Sequence, residues 1–220
     1  MHKAEQLISE IIAAQSASSV ETLALKLLDT CQRGSSIDVL QELLTTKNNE
    51  AVKAGIWVVS ELGQAAAPLL NTIVVLLSHP DKYVRFFAVD SVLSCAGVFD
   101  DEAIAEVVGM LEDPEPSIRW KVLDFMTRLS TDQLHAALRW YERVGGDSKH
   151  ASSLRWLLGP DGAEATAVLS ALGGGDSVGK MYAVVAATRM APFDRDPLLA
   201  AATSDEADVK AFALDALSAS

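Results

Sequence analysis

Aromatic residues are scarce in this chain of 220 residues, where Phe, Trp and Tyr together make up 6%. Ala, Leu and Val supply most of the apolar half instead, which favours closely packed helices over sheets, because Ala and Leu are good helix formers and β-branched runs are short. Cysteine is nearly absent. The 2 thiols, Cys31 and Cys95, have no Cys-x-x-Cys spacing, so a disulfide framework and a thiolate zinc site are both excluded and reduced, buried thiols are expected. His2, His79, His135 and His150 are far apart, and no pair has the spacing that places two metal ligands on one helical face. No apolar run approaches the ~20 residues of a membrane span. The N-terminal stretch from Leu7 to Ala14 is interrupted by Ser9 and Glu10, which leaves no apolar core for a signal peptide. Positive charge is also short: 18 Lys and Arg stand against 30 Asp and Glu, a formal balance of −12. Such a field repels phosphate backbones and attracts cationic surfaces, so nucleic acid is not expected as a partner and a basic protein is. The expectation is a cytoplasmic protein without membrane, metal or cofactor.

What the chain has is a repeat. Pro80-Asp81-Lys82-Tyr83-Val84-Arg85 runs into Ala88-Val89, Pro114-Glu115-Pro116-Ser117-Ile118-Arg119 precedes Val122-Leu123, and Asp205-Glu206-Ala207-Asp208-Val209-Lys210 precedes Ala213-Leu214. Val52 and, more weakly, Gly179 match the position of Val84, and each of these residues is followed by Lys or Arg. Apolar residues after each anchor fall at helical intervals, as in Ile118, Val122, Phe125 and Leu129. Each anchor should therefore open the second helix of a pair. First helices are expected over Ile37 to Leu44, Ala67 to Leu77, Ile104 to Leu111, Leu134 to Val144, Ala163 to Leu172 and Leu198 to Ala202. Glycine and proline breaks separate them, among them Asp113-Pro114, Gly145-Gly146-Asp147 and Gly159-Pro160. Capping boxes are expected at Ser18 with Glu21 and at Ser130 with Gln133. The pattern predicts an all-α fold, a right-handed α-solenoid of about seven antiparallel helix pairs in one domain over residues 1–220. Residues 1–34 and 147–159 are its least regular parts.

The motif of an acidic or Pro-containing turn, a Val-Arg or Val-Lys pair and an Ala-rich second helix resembles HEAT repeats, particularly the short type found in chromophore-lyase proteins. The match is good at residues 78–97, 112–130 and 204–218. That resemblance implies macromolecular binding. It also implies that Asp81, Glu115 and Glu206, with Arg85, Arg119 and Lys210, form a ladder of carboxylates and cations linking neighbouring repeats. Two enzyme classes share the architecture, chromophore-lyase relatives and alkylpurine DNA glycosylases. Trp120 and Asp124 have the residue types a glycosylase needs, but the charge balance opposes DNA.

Catalytic motifs are few. Gly174-Gly175-Asp176-Ser177-Val178-Gly179-Lys180 fits seven positions of a phosphate-binding loop, but Met181 lacks the hydroxyl for magnesium and no strand precedes it. Carboxylates such as Asp100, Asp101 and Glu102 fall where helix starts are expected and read as caps. The stronger functional lead is geometric. With the anchor at zero, the core stripe runs through positions 0, +4, +7 and +11, whereas +2 and +6 point nearly opposite, since each residue advances ~100°. That outward face carries Phe86 with Asp90, Trp120 with Asp124, and Ala211 with Asp215, while Trp57 points close to the same direction. The expected site is thus an aromatic and acidic stripe on a concave face, with Trp57, Phe86, Asp90, Trp120 and Asp124 as partner-binding residues. The function read from it is a non-catalytic scaffold that grips a basic or amphipathic protein segment, an inhibitor of a basic toxin or nuclease being one concrete form.

Overall fold

The computed structural model describes residues 2–14, 16–144 and 148–219, and among them there are helices and turns but no strand. The chain falls into two compact units, Met1–Ala96 and Gly97–Ser220. The core stripe expected from the repeat is buried in each: Val52, Ile56 and Val59, then Val84, Ala88, Ser91 and Cys95 in the first unit, and Ile118, Val122, Phe125 and Leu129, then Val209 and Ala213 in the second.

In the first unit α1 (His2–Ala13), α2 (Ala17–Gln32), α3 (Gln41–Thr45), α4 (Asn49–Leu62), α5 (Leu70–Leu76) and α6 (Lys82–Cys95) make three successive helix pairs. Helices α2, α4 and α6 lie side by side in one layer, and α1, α3 and α5 form the other. Short 3-10 turns at 38–40 and 63–69 lead into α3 and α5. The start of α2 differs from the expected capping box. Ser16, held in an extended conformation, is the cap, and its Oγ accepts the Ser19 amide at 3.3 Å, so Ser18 already lies inside the helix. Asn48 caps α4 by accepting the amides of Glu50 and Ala51, and its Nδ2 donates to the Ile12 carbonyl at 2.9 Å, which fastens this turn to the first pair. At Gly55 a Cβ would lie 2.7 Å from Cβ of Leu43, so α4 meets α3 more closely than any other residue type permits. The segment from Asn49 to Leu76 is not one α-helix, because Gly63, at φ 56°, ends α4.

The second unit contains α7 (Asp101–Gly109), α8 (Pro116–Arg128), α9 (Thr131–Val144), α10 (Lys149–Leu158), α11 (Ala165–Gly173), α12 (Ser177–Met190), α13 (Asp196–Ala201) and α14 (Ala207–Ser218). The break expected at Gly145-Gly146-Asp147 lies outside the described residues. Ser130 and Gln133 form the expected capping box, each side chain accepting the other's amide, at 3.2 and 3.0 Å. Stacking here is less regular than in the first unit. Helix α8 packs on α12 and α14, whereas α10, the second helix of the irregular segment, lies against α9 and α12. Helix α12 is consequently surrounded, and every residue from Met181 to Ala187 is buried. Its run of Ala and Val suits that position, since a helix apolar on all sides belongs in a core.

Candidate functional site

The second-helix face of the first unit is built by α4 and α6. Lys53, near the start of α4, reaches Oδ2 of Asp81, the residue that caps α6, at 2.8 Å, and its ammonium lies 5.9 Å from the centre of the Tyr83 ring. These contacts join the two N-terminal ends, so α4 and α6 run parallel. One turn further along each helix stand Trp57 and Phe86, both half-buried, with Asp90 a turn beyond Phe86. Tyr83, Phe86 and Asp90 follow at i, i+3 and i+7 and share one face of α6. Tyr83 is 59% exposed and carries Lys82 as a second cation 5.9 Å from its ring. The edge of Phe87 meets Phe86 with centroids 5.6 Å apart. This surface is therefore aromatic, partly solvated and rigidly backed by the helix core.

The corresponding face of the second unit is partly closed. Trp120 of α8 is half-buried and meets Phe212 of α14 edge-on, with ring centroids 5.9 Å apart. Asp124 does not present a bare carboxylate. Its Oδ1 accepts from Nε of Arg128 at 3.0 Å and its Oδ2 lies 3.8 Å from the Lys121 ammonium, so its charge is balanced on its own helix. Ala211 and Asp215 are exposed at the equivalent positions of α14.

The ladder of charges implied by the repeat motif joins neighbouring pairs at Asp81. Asp81 pairs with Lys53, the cation that follows the anchor of the preceding pair, and Nη1 of Arg85 donates to the turn carbonyls of His79 and Pro80 at 2.9 and 3.1 Å. Arg119 does the same to the carbonyls of Asp113 and Pro114, and its Nε reaches Asp208 of α14 at 2.7 Å. Glu115 and Glu206 precede α8 and α14 without a side-chain capping bond. Asp205, one residue earlier than the expected Glu206, accepts from Lys180 at 2.6 Å, while Lys210 is exposed. Burial pushes the Asp81 carboxyl upward, but the hydrogen bonds from Lys53, Asn49 and the Tyr83 amide outweigh it and hold its pKa at about 2.

Lys180 being bound to Asp205 also removes it from any phosphate loop. Gly174 and Gly175 link two helices, and Asp176 caps α12 by accepting the Gly179 amide at 2.7 Å. Two features of the second unit had no signal in residue spacing. One is the hydrogen-bonded series Glu112, His150 and Tyr182, drawn from three separate elements, in which the two rings are buried and the carboxylate is exposed. The other is a cleft at the C-terminal ends of α10 and α12, lined by Arg189. Tyr83 likewise escaped notice because it precedes its anchor, although the i, i+3 relation to Phe86 was present in the sequence.

No protein-family model matches the chain, and no curated protein does either. Its likenesses are among solved structures. A designed armadillo repeat protein superposes with a TM-score of 0.51 at 13% identity, over 98% of this chain and 99% of that one. An engineered protein does so with a TM-score of 0.53 at 16% identity, over 99% and 96%. A second engineered protein gives 0.51 at 16% identity, over 99% and 98%. Identities this low speak to architecture alone: the chain is an all-α helical-repeat protein of the armadillo and HEAT type along its whole length.

Proposed function

We propose that this chain is a non-catalytic binding scaffold of HEAT-like helix pairs that recognises a basic or amphipathic segment of another protein. The observation that carries the reading is the surface of α4 and α6, where Trp57, Tyr83 and Phe86 stand partly solvated on adjoining helix faces. Large rigid rings lose little conformational entropy on contact and commonly anchor protein interfaces. The chain's balance of −12 favours a cationic partner and speeds its approach. The pairing of Asp124 with Arg128, and of Trp120 with Phe212, supports this reading over a glycosylase-like one, which would want both residues facing a flipped base.

The test is affinity capture from the native host, comparing the natural chain with a Trp57→Ala, Phe86→Ala double variant whose helicity is checked by circular dichroism. The expected result is a basic protein retained by the natural chain and lost by the variant. Equal recovery by both, or capture of acidic proteins only, would overturn the proposal.

A further inference from the structure

A cleft of about 580 Å³ opens in the second unit where the ends of α10 and α12 meet the beginnings of α9 and α11. Its walls include Leu134, Leu157, Ala186 and Met190, and Phe193, 94% exposed, stands at its edge. The volume falls within the ~300–1,000 Å³ typical of small-molecule sites. The cleft exists because of the irregular segment. Helix α10 stops at Leu158, a short 3-10 turn at 160–163 follows, and α8 packs past it onto α12 and α14.

Among the described residues, the cation lining this cleft is Arg189. Its Nη1 donates to the last carbonyls of α8, Met126 at 3.1 Å and Leu129 at 2.8 Å, which uses both hydrogens of that nitrogen and fixes the guanidinium plane. Nε and Nη2 remain without a protein acceptor, and Arg189 has no carboxylate within ion-pair distance among the described residues. No buried side-chain polar atom among the described residues lacks a partner, so these donors are open to solvent, and the cleft that Arg189 lines is the open space beside it. Burial lowers the Arg189 pKa, the sign of a charge whose desolvation no acid offsets. The Nε and Nη2 edge of a guanidinium is the fork that takes a carboxylate through two parallel hydrogen bonds.

We propose that this cleft binds a small monocarboxylate with an apolar body, its carboxylate on the Nε and Nη2 edge of Arg189 and its chain against Leu134, Leu157, Ala186 and Met190. The acids at the rim define the class further. Glu164 and Asp194 line the same cleft, and Asp194 is held by accepting the Asp196 amide at 3.0 Å. Their charge repels phosphates and polycarboxylates, whereas one carboxylate on a hydrocarbon carries its negative end inward to the guanidinium. This site is independent of the aromatic surface on the first unit.

The experiment measures binding of octanoate, octanol and octylamine to the full chain by calorimetry, with amide NMR shifts locating the contact. Octanoate should bind at least ~10-fold more tightly than octanol, the worth of one charge-assisted pair, and octylamine more weakly than either. Arg189→Gln should bring octanoate down to the level of octanol. Because that change also releases the α8 carbonyls, Ala163→Trp serves as a second variant: it places a ring at the exposed rim of the cleft and should abolish binding of both ligands with an unchanged melting temperature. Equal affinity for octanoate and octanol, no binding of octanoate, or full binding by Ala163→Trp would each overturn the proposal.

Discussion

The hydroxyl of Tyr182 lies 3.1 Å from Nδ1 of His150 in the interior of the second unit, and Nε2 of the same ring lies 3.0 Å from Oε1 of Glu112. One neutral tautomer satisfies both bonds: Nε2 carries the hydrogen and donates it to Glu112, while Nδ1 accepts the tyrosine O–H. Lys149 bonds the other carboxylate oxygen, and the Tyr141 ring stacks on the imidazole with centroids 5.4 Å apart. The series ties α10 to the 3-10 turn at 110–112 that follows α7 and to α12, so the irregular helix is fixed by polar bonds where the stacking is less regular.

Replacing Tyr182 by Phe keeps the ring and strands Nδ1 without a donor. The expected loss is about 1–3 kcal/mol of unfolding free energy, the usual cost of a buried group left unsatisfied. Urea titration measures it; a loss below the fitting error would show that water reaches the histidine.

His150 also gives stability a pH dependence. Burial lowers its pKa below the ordinary 6.5, and although the Glu112 bond pulls upward, the net direction is down. The unfolded chain therefore takes up a proton at a pH where the folded one does not. Stability from this group is full above 6.5, falls as the pH drops through that value, and levels off below the depressed folded pKa. Melting temperatures between roughly pH 7.5 and 5.5 should decline in the natural chain and decline less in His150→Gln.

Asp81 is both helix cap and inter-pair acid. Asp81→Ala removes the bond to the Tyr83 amide and the pair with Lys53, and about 1–2 kcal/mol should be lost, most of it from the cap. With its folded pKa at about 2, below the unfolded value, this contribution is present above the unfolded pKa and disappears as the pH falls through about 2. Acid denaturation curves of the variant should therefore begin from a lower plateau and show a shallower drop.

Gly55→Ala sets a helix-propensity gain of about 1 kcal/mol against a contact that cannot form without movement. The added methyl would meet Cβ of Leu43 at 2.7 Å, and Leu44 stands beside it at 3.3 Å. Because Cβ of Leu43 is fixed to the backbone, α3 must shift, and a net loss of about 1–3 kcal/mol is expected. A variant as stable as the natural chain would mean that the short α3 moves freely.

The regular pairs were legible because their signals are local. Val84, Ile118 and Val209 each follow a turn and open a helix whose apolar residues recur at 3.6-residue intervals, so burial of that stripe follows from one helix at a time. Ser130 with Gln133 was legible for the same reason. The charge ladder was legible only in part: the motif places Asp81 before its anchor and Lys53 after the preceding one, but that Arg119 reaches Asp208 and Lys180 reaches Asp205 depends on the offset between helices, which a motif does not encode. The helical phase of Asp124 turns it outward, and the sequence also carries its partner, Arg128, at i, i+4.

By itself the amino-acid order determined an all-helical chain of repeated pairs and the identity of its core residues, since these depend on periodicity and capping within about twenty residues. Only the tertiary structure decided that α8 meets α12 and α14, that Glu112, His150 and Tyr182 join in one hydrogen-bonded series, and that Arg189 lines a cleft. Those contacts link residues far apart along the chain, and they are set by how α10 fails to fill its place in the stack, a property of packing volume and not of any local pattern.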